Sequence, residues 1–162
     1  MQPGRPPLAI VPPGFKLFVY SVKFVCGEQR DDCCGCSPVQ PGRYSTEINI
    51  LNPGAKPAPV LKRVIPLALA GAISGREPKF KGPATREIIQ LPAHNATMDD
   101  CCRLLELLLG APPSGPAALT LGILEIISTV EVSVTAVYTA TRGDGGAPSI
   151  DVKQIRANVL TI

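Results

Sequence analysis

Six cysteines carry most of the chemistry this chain could do, and they fall in two tight groups. Cys26, Cys33, Cys34 and Cys36 share one short stretch containing Gly and Asp; Cys101 and Cys102 stand together further on. The vicinal pairs are hard to explain as core filler. Disulfides through all six are the favoured expectation, because adjacent cysteines can each reach a different partner, within one subunit or between two. That reading places the Cys33–Cys36 loop within reach of Cys101 or Cys102. The alternative is a metal. Cys33 and Cys36 form a Cys-x-x-Cys, and Cys26 and Cys101 would complete a zinc or iron–sulfur set. A second Cys-x-x-Cys is missing, and a vicinal pair rarely gives two ligands to one ion. Free thiols in a reducing compartment are the third reading.

Other side chains offer less. His94 is the single histidine. With Cys101 or Cys102 at a helix N-terminus it could make a thiol nucleophile, but a lone loop histidine reads first as a surface residue. Asp31-Asp32 reads as a solvated loop and Asp99-Asp100 as favourable charge on a first helical turn; neither resembles a calcium loop. Gly143-Asp144-Gly145-Gly146 lies between two strands and reads as a hairpin turn, not a phosphate cradle. The Arg142-Gly143-Asp144 and Asn95-Ala96-Thr97 tripeptides read as chance. No catalytic constellation or cofactor site emerges, so the chain does not read as an enzyme.

The elements that would position these groups follow from composition and period. The chain has 162 residues, enough for one domain with a real core. It is 45% hydrophobic, 18% charged and only 4% aromatic, which excludes a disordered chain and asks for a core of Val, Ile, Leu and Ala. The formal charge of +3 is scattered rather than striped, which argues against nucleic acid. No apolar run is long enough to span a membrane, and the first residues do not read as a secretory signal.

Residues 1–14 carry five prolines and two glycines and read as an extended arm. Leu8, Ile10 and Val11 give it something to bury on a neighbouring subunit. Residues 15–162 read as one domain. Phe18–Cys26, Tyr44–Ile50, Val60–Ile65 (alternating with Lys62), Arg86–Leu91, Ala117–Ser128, Val130–Thr141, Ile150–Ile155 and Val159–Ile162 read as strands. Prolines 57, 59 and 66 suggest that the third is short or at an edge. One helix is expected, with Thr97 and Asp100 at capping-box spacing, an apolar face from Met98 through Leu109, and a stop at Gly110. The fold class is therefore all-β: an antiparallel β-sandwich of jelly-roll type with one short helix.

Three blocks carry a resemblance. Ser21-Val22-Lys23-Phe24-Val25-Cys26-Gly27, then Tyr44-Ser45-Thr46-Glu47-Ile48-Asn49-Ile50-Leu51-Asn52-Pro53, then Val134-Thr135-Ala136-Val137-Tyr138-Thr139 with Ser149-Ile150-Asp151-Val152, resemble an uncharacterised bacterial β-sandwich family. The resemblance implies the fold and no particular activity. A looser similarity is to endospore-appendage subunits, small jelly rolls joined by cysteines into fibres; those carry cysteines on the N-terminal arm, and residues 1–14 hold none. The expectation is a structural subunit that partners with itself in an extracellular or spore-surface filament or coat. Cysteines would cross-link it and the N-terminal arm would dock it.

Overall fold

The computed structural model describes residues 14–30, 36–73 and 85–162. Leu8, Ile10 and Val11, Asp31-Asp32, and Cys33 and Cys34 lie outside the described residues. In chain order the elements are β1 (Lys16–Gln29), β2 (Gly42–Leu51), β3 (Ala58–Leu69), β4 (Ala72–Ile73), β5 (Thr85–Leu91), β6 (Ala96–Asp99), α1 (Cys101–Leu109), β7 (Thr120–Ser128), β8 (Ser133–Arg142), β9 (Ser149–Ile155) and β10 (Asn158–Thr161). The protein is all-β and antiparallel throughout its named strand pairs, with one short helix, as the alternating segments require.

Two sheets face each other in a sandwich-like arrangement. The first runs β10–β1–β7–β3–β5, with β4 beside the end of β3. The second runs β6–β2–β8–β9. β1 serves both: Phe18–Cys26 pair with β7, and Gly27–Gln29 cross to pair with Gly42–Tyr44 of β2. Gly27 makes the crossing possible. Its φ of +97° is one that L side chains rarely adopt, and a Cβ there would strike the carbonyls of Ala117 and Ala118.

Alternation decides what lies inside. Tyr20, Val22, Phe24 and Cys26 of β1 face Ile48 and Ile50 of β2, Val60 and Val64 of β3, Leu124 and Ile126 of β7, and Val134 and Ala136 of β8. Each large side chain taken out of water contributes about 1.5–3 kcal/mol. Leu104, Leu107 and Leu108 of α1 pack into the same core, and α1 touches β1, β2, β3, β5 and β6. Ile155 and Ala157, around the β9–β10 turn, also pack against it.

Two local expectations are corrected. β3 is neither short nor peripheral; it spans 12 residues between β5 and β7. Pro57 precedes the strand, Pro59 stands at its start before the pairing with β7 begins at Val60, and Pro66 fits because the register with β7 shifts between Pro66 and Ala68, a bulge where the missing N–H is tolerated. The helix begins later than the capping-box spacing suggests. Ala96–Asp99 is claimed by the ladder with β2, so Met98 is a half-exposed strand residue. The N-cap is Asp100, whose carboxylate accepts from the Arg103 amide at 2.9 Å. Gly110 closes the helix in the left-handed region, as expected.

Candidate functional site

The chemistry gathers where β6 turns into α1. Asp99 ends the strand, Asp100 caps the helix, and Cys101 and Arg103 leave the first turn in different directions. Cys101 is joined to Cys26 by a disulfide across 75 residues, with Cα atoms 5.6 Å apart, inside the usual range for such a bridge. The sulfur sits at the point where β1 and β2 diverge. Thr46 fills that divergence: its hydroxyl accepts from the Val25 amide at 2.9 Å and donates to the Val25 carbonyl at 3.0 Å. The Thr46 amide points at Cys101 Sγ, 3.2 Å away. The bridge therefore ties the helix to the strand that serves both sheets.

Beside it lies a buried cluster of charge. The alternation of β3 that sends Val60 and Val64 inward sends Lys62 inward too, leaving it 3% exposed. Its Nζ lies 2.9 and 3.2 Å from the two carboxylate oxygens of Asp99, itself 1% exposed, and 2.7 Å from Glu87 Oε2 on the neighbouring β5. Arg103 bridges the other oxygen of Glu87 to Glu106, 2.7 Å away. Burial works against a charged Glu87, but Lys62 and Arg103 outweigh it and hold its carboxyl below the usual range. An isolated lysine here would cost several kcal/mol; paired on two sides, it roughly breaks even. The cluster joins β3 and β5 of one sheet to β6 of the other and to α1.

The sequence reading missed this cluster, although a signal existed. Lys62 has the same parity as Val60 and Val64, so a strand with those two inside must place the lysine inside. Asp99, assigned to a first helical turn, is instead the lysine's partner, and the first turn carries no acid.

The remaining expected residues do not converge. Cys36 and Cys102, expected in disulfides, carry free and exposed thiols. The loop cysteine Cys36 therefore does not bridge to the helix; Cys102 points to solvent because Cys101 takes the inward position. The alternative metal set of Cys26, Cys33, Cys36 and Cys101 loses two ligands, since Cys26 and Cys101 are bonded to each other. Among the described residues no group of three or more His, Cys, Asp or Glu side chains is placed to hold an ion. His94 is exposed in a turn at φ 57°, and the disulfide leaves Cys101 no thiol to activate. Residues 143–146 lie in the β8–β9 hairpin turn, as expected.

A second feature is the C-terminal surface. Among the described residues, β9 pairs with β8 alone and β10 with β1 alone, so each ends a sheet. Both carry exposed apolar side chains: Ile150, Val152, Val159 and Leu160, followed by Ile162. Between them opens a cleft of about 640 Å³ lined by Tyr20, Val132, Gln154, Arg156 and Val159.

These features define an all-β, sandwich-like domain with an internal disulfide, and no described helix is long and apolar enough to cross a membrane. No family model matches the chain, and no curated protein or solved structure matches it.

Proposed function

We propose that this protein is a structural subunit that assembles with copies of itself into an extracellular or spore-surface filament or coat. The observation that carries the reading is the pair of edge strands β9 and β10. Natural sheets guard their edges with charge, proline or bulges, because an open edge templates pairing with another chain. Here β9 presents Ile150 and Val152 beside an exposed Asp151–Lys153 ion pair, while β10 and the residue after it present Val159, Leu160 and Ile162 with no charge among them, all five apolar side chains at least half exposed. The start of the domain lies at the same place: the Gly14 amide donates to the Ile162 carbonyl at 2.9 Å. The described chain therefore starts, at Gly14, beside β10. Extended, residues 1–14 reach up to about 46 Å, enough to lay Leu8, Ile10 and Val11 on a neighbour. Cys36 and Cys102 offer exposed thiols for cross-links between subunits, while Cys26–Cys101 holds the subunit itself together.

Electron microscopy and sedimentation of the full chain test the reading. Polymers are expected, and removal of residues 1–14 is expected to leave a folded β-rich monomer. A full chain that stays monomeric at high concentration overturns it. Polymers unchanged by the deletion remove the role of the arm.

A further inference from the structure

We propose that Lys62 and Asp99 condense into an intramolecular isopeptide bond, with Glu87 as the catalytic proton carrier. A primary amine, a carboxyl group and a second carboxylate in contact with that amine stand together inside an apolar core. Nζ of Lys62 contacts both oxygens of Asp99, so it already lies against the carbon it would attack. The Asp99 carboxylate has only to turn its face toward the amine. Holding two reactants in this way is worth an effective concentration of up to roughly 10⁵–10⁸ M.

The surroundings favour the reaction over the salt. Lys62 and Asp99 are 3% and 1% exposed, with Val60 and Val64 flanking the lysine on its strand and Leu104 at the core face of α1. Two charges held there stay desolvated at a cost that their attraction only about offsets. An amide carries no charge, and the water it releases leaves a site that water does not re-enter freely.

The step balances without any further reagent. Lys62 starts as an ammonium and Asp99 as a carboxylate. Glu87 Oε2, 2.7 Å from Nζ but out of line for a hydrogen bond, turns toward it to take one proton and passes it to an Asp99 oxygen. The free amine then attacks Cγ, forming the C–N bond and a tetrahedral centre. A second proton travels from the nitrogen by the same route to the hydroxyl, the C–O bond breaks, and water leaves. Both protons of that water come from Nζ, the third stays on the amide nitrogen, and Glu87 ends as it began. Arg103, on the other oxygen of Glu87, makes that carboxylate release the proton again, so the proton moves on to Asp99 and Glu87 returns to its ionised form. Glu106 in turn holds Arg103, at 2.7 Å.

The bond would join β3 of the first sheet to β6 of the second across 37 residues. It lies two residues along the chain from Cys101 of the disulfide but, unlike that bridge, resists reduction. The inference stands whether or not the protein assembles.

Intact mass of the purified full chain, unfolded and fully reduced, is the test. The expected mass is lower than that of the sequence by one water, and digestion should return a branched peptide joining the segments around Lys62 and Asp99. Lys62→Arg, which keeps the charge, should show the full mass. Glu87→Gln should form the bond about 10²–10⁴-fold more slowly, with circular dichroism confirming that both variants fold. A native protein at full mass overturns the proposal even if neither variant folds. A lost water mapped to any other residue does the same, and Glu87→Gln reacting at the native rate removes the role of Glu87.

Discussion

Tyr20 and Val132 are joined by two hydrogen bonds: the phenol donates to the Val132 carbonyl at 2.6 Å and accepts from the Val132 amide at 3.0 Å. A side chain of β1 thus does for the start of β8 what a neighbouring strand would otherwise do. Burial raises the Tyr20 hydroxyl above its ordinary value, so it stays protonated and able to donate.

Tyr20→Phe should therefore lower stability by about 1–3 kcal/mol, because it leaves a buried amide and carbonyl unpaired while keeping the ring. Urea unfolding of the two proteins measures this; a loss well under that range would mean that Val132 finds water instead.

The disulfide closes a long loop. In the chain-entropy model, Cys26–Cys101 stabilises the fold by about 4 kcal/mol. Cys26→Ser should lower the urea midpoint and steepen the slope, because the unfolded chain loses a 75-residue cross-link and expands, and adding reductant to the native protein should have the same direction of effect. Equal stability with and without reductant would contradict it.

The thiols should divide by position. Alkylation of the folded protein, read by peptide mapping, should label Cys36 and Cys102 and spare Cys26 and Cys101 until the chain is unfolded and reduced.

Glu87 makes stability depend on acid. Its native value lies below the ordinary one for a glutamate. The stability it contributes is therefore fully present above that value and is lost as pH falls through the depressed native one. Arg103 and Lys62 both hold it there, and Arg103 continues to do so once Lys62 is an amide. Glu87→Gln should flatten the acid limb of a stability–pH profile below about pH 4.5, compared with native protein.

Gly122 lies against the Phe24 ring and the Ile65 carbonyl, where an added Cβ would collide with both. The backbone carbonyl cannot yield cheaply, so Gly122→Val should cost more than about 3 kcal/mol or prevent folding, ranking with the severest core changes. Thermal melting checks it.

Much of the fold is legible along the chain. The alternation in Phe18–Cys26, Tyr44–Ile50 and Val130–Tyr138 specifies strands, because successive side chains of an extended backbone must face opposite ways, although the third of these strands starts only at Ser133 and leaves Val130 exposed before it. The Gly110 stop is equally local, since it depends on one residue's freedom to adopt a left-handed φ. Parity even contained the inward position of Lys62. What local pattern could not show is which distant positions meet. Cys101 could have bridged to any cysteine of the first group; it meets Cys26 because β1 crosses from one sheet to the other at Gly27 and α1 packs against that crossing. Asp99 and Asp100 are neighbours of the same type, yet one caps a helix and the other enters the core. The ladder between β6 and β2 makes that choice, through the backbone bonds of residues some fifty positions apart. Periodicity is a property of neighbouring residues, so the sequence by itself determined the elements and their inner faces. The cross-link and the Lys62–Asp99–Glu87 cluster depend on strand order, and only the tertiary structure decided those.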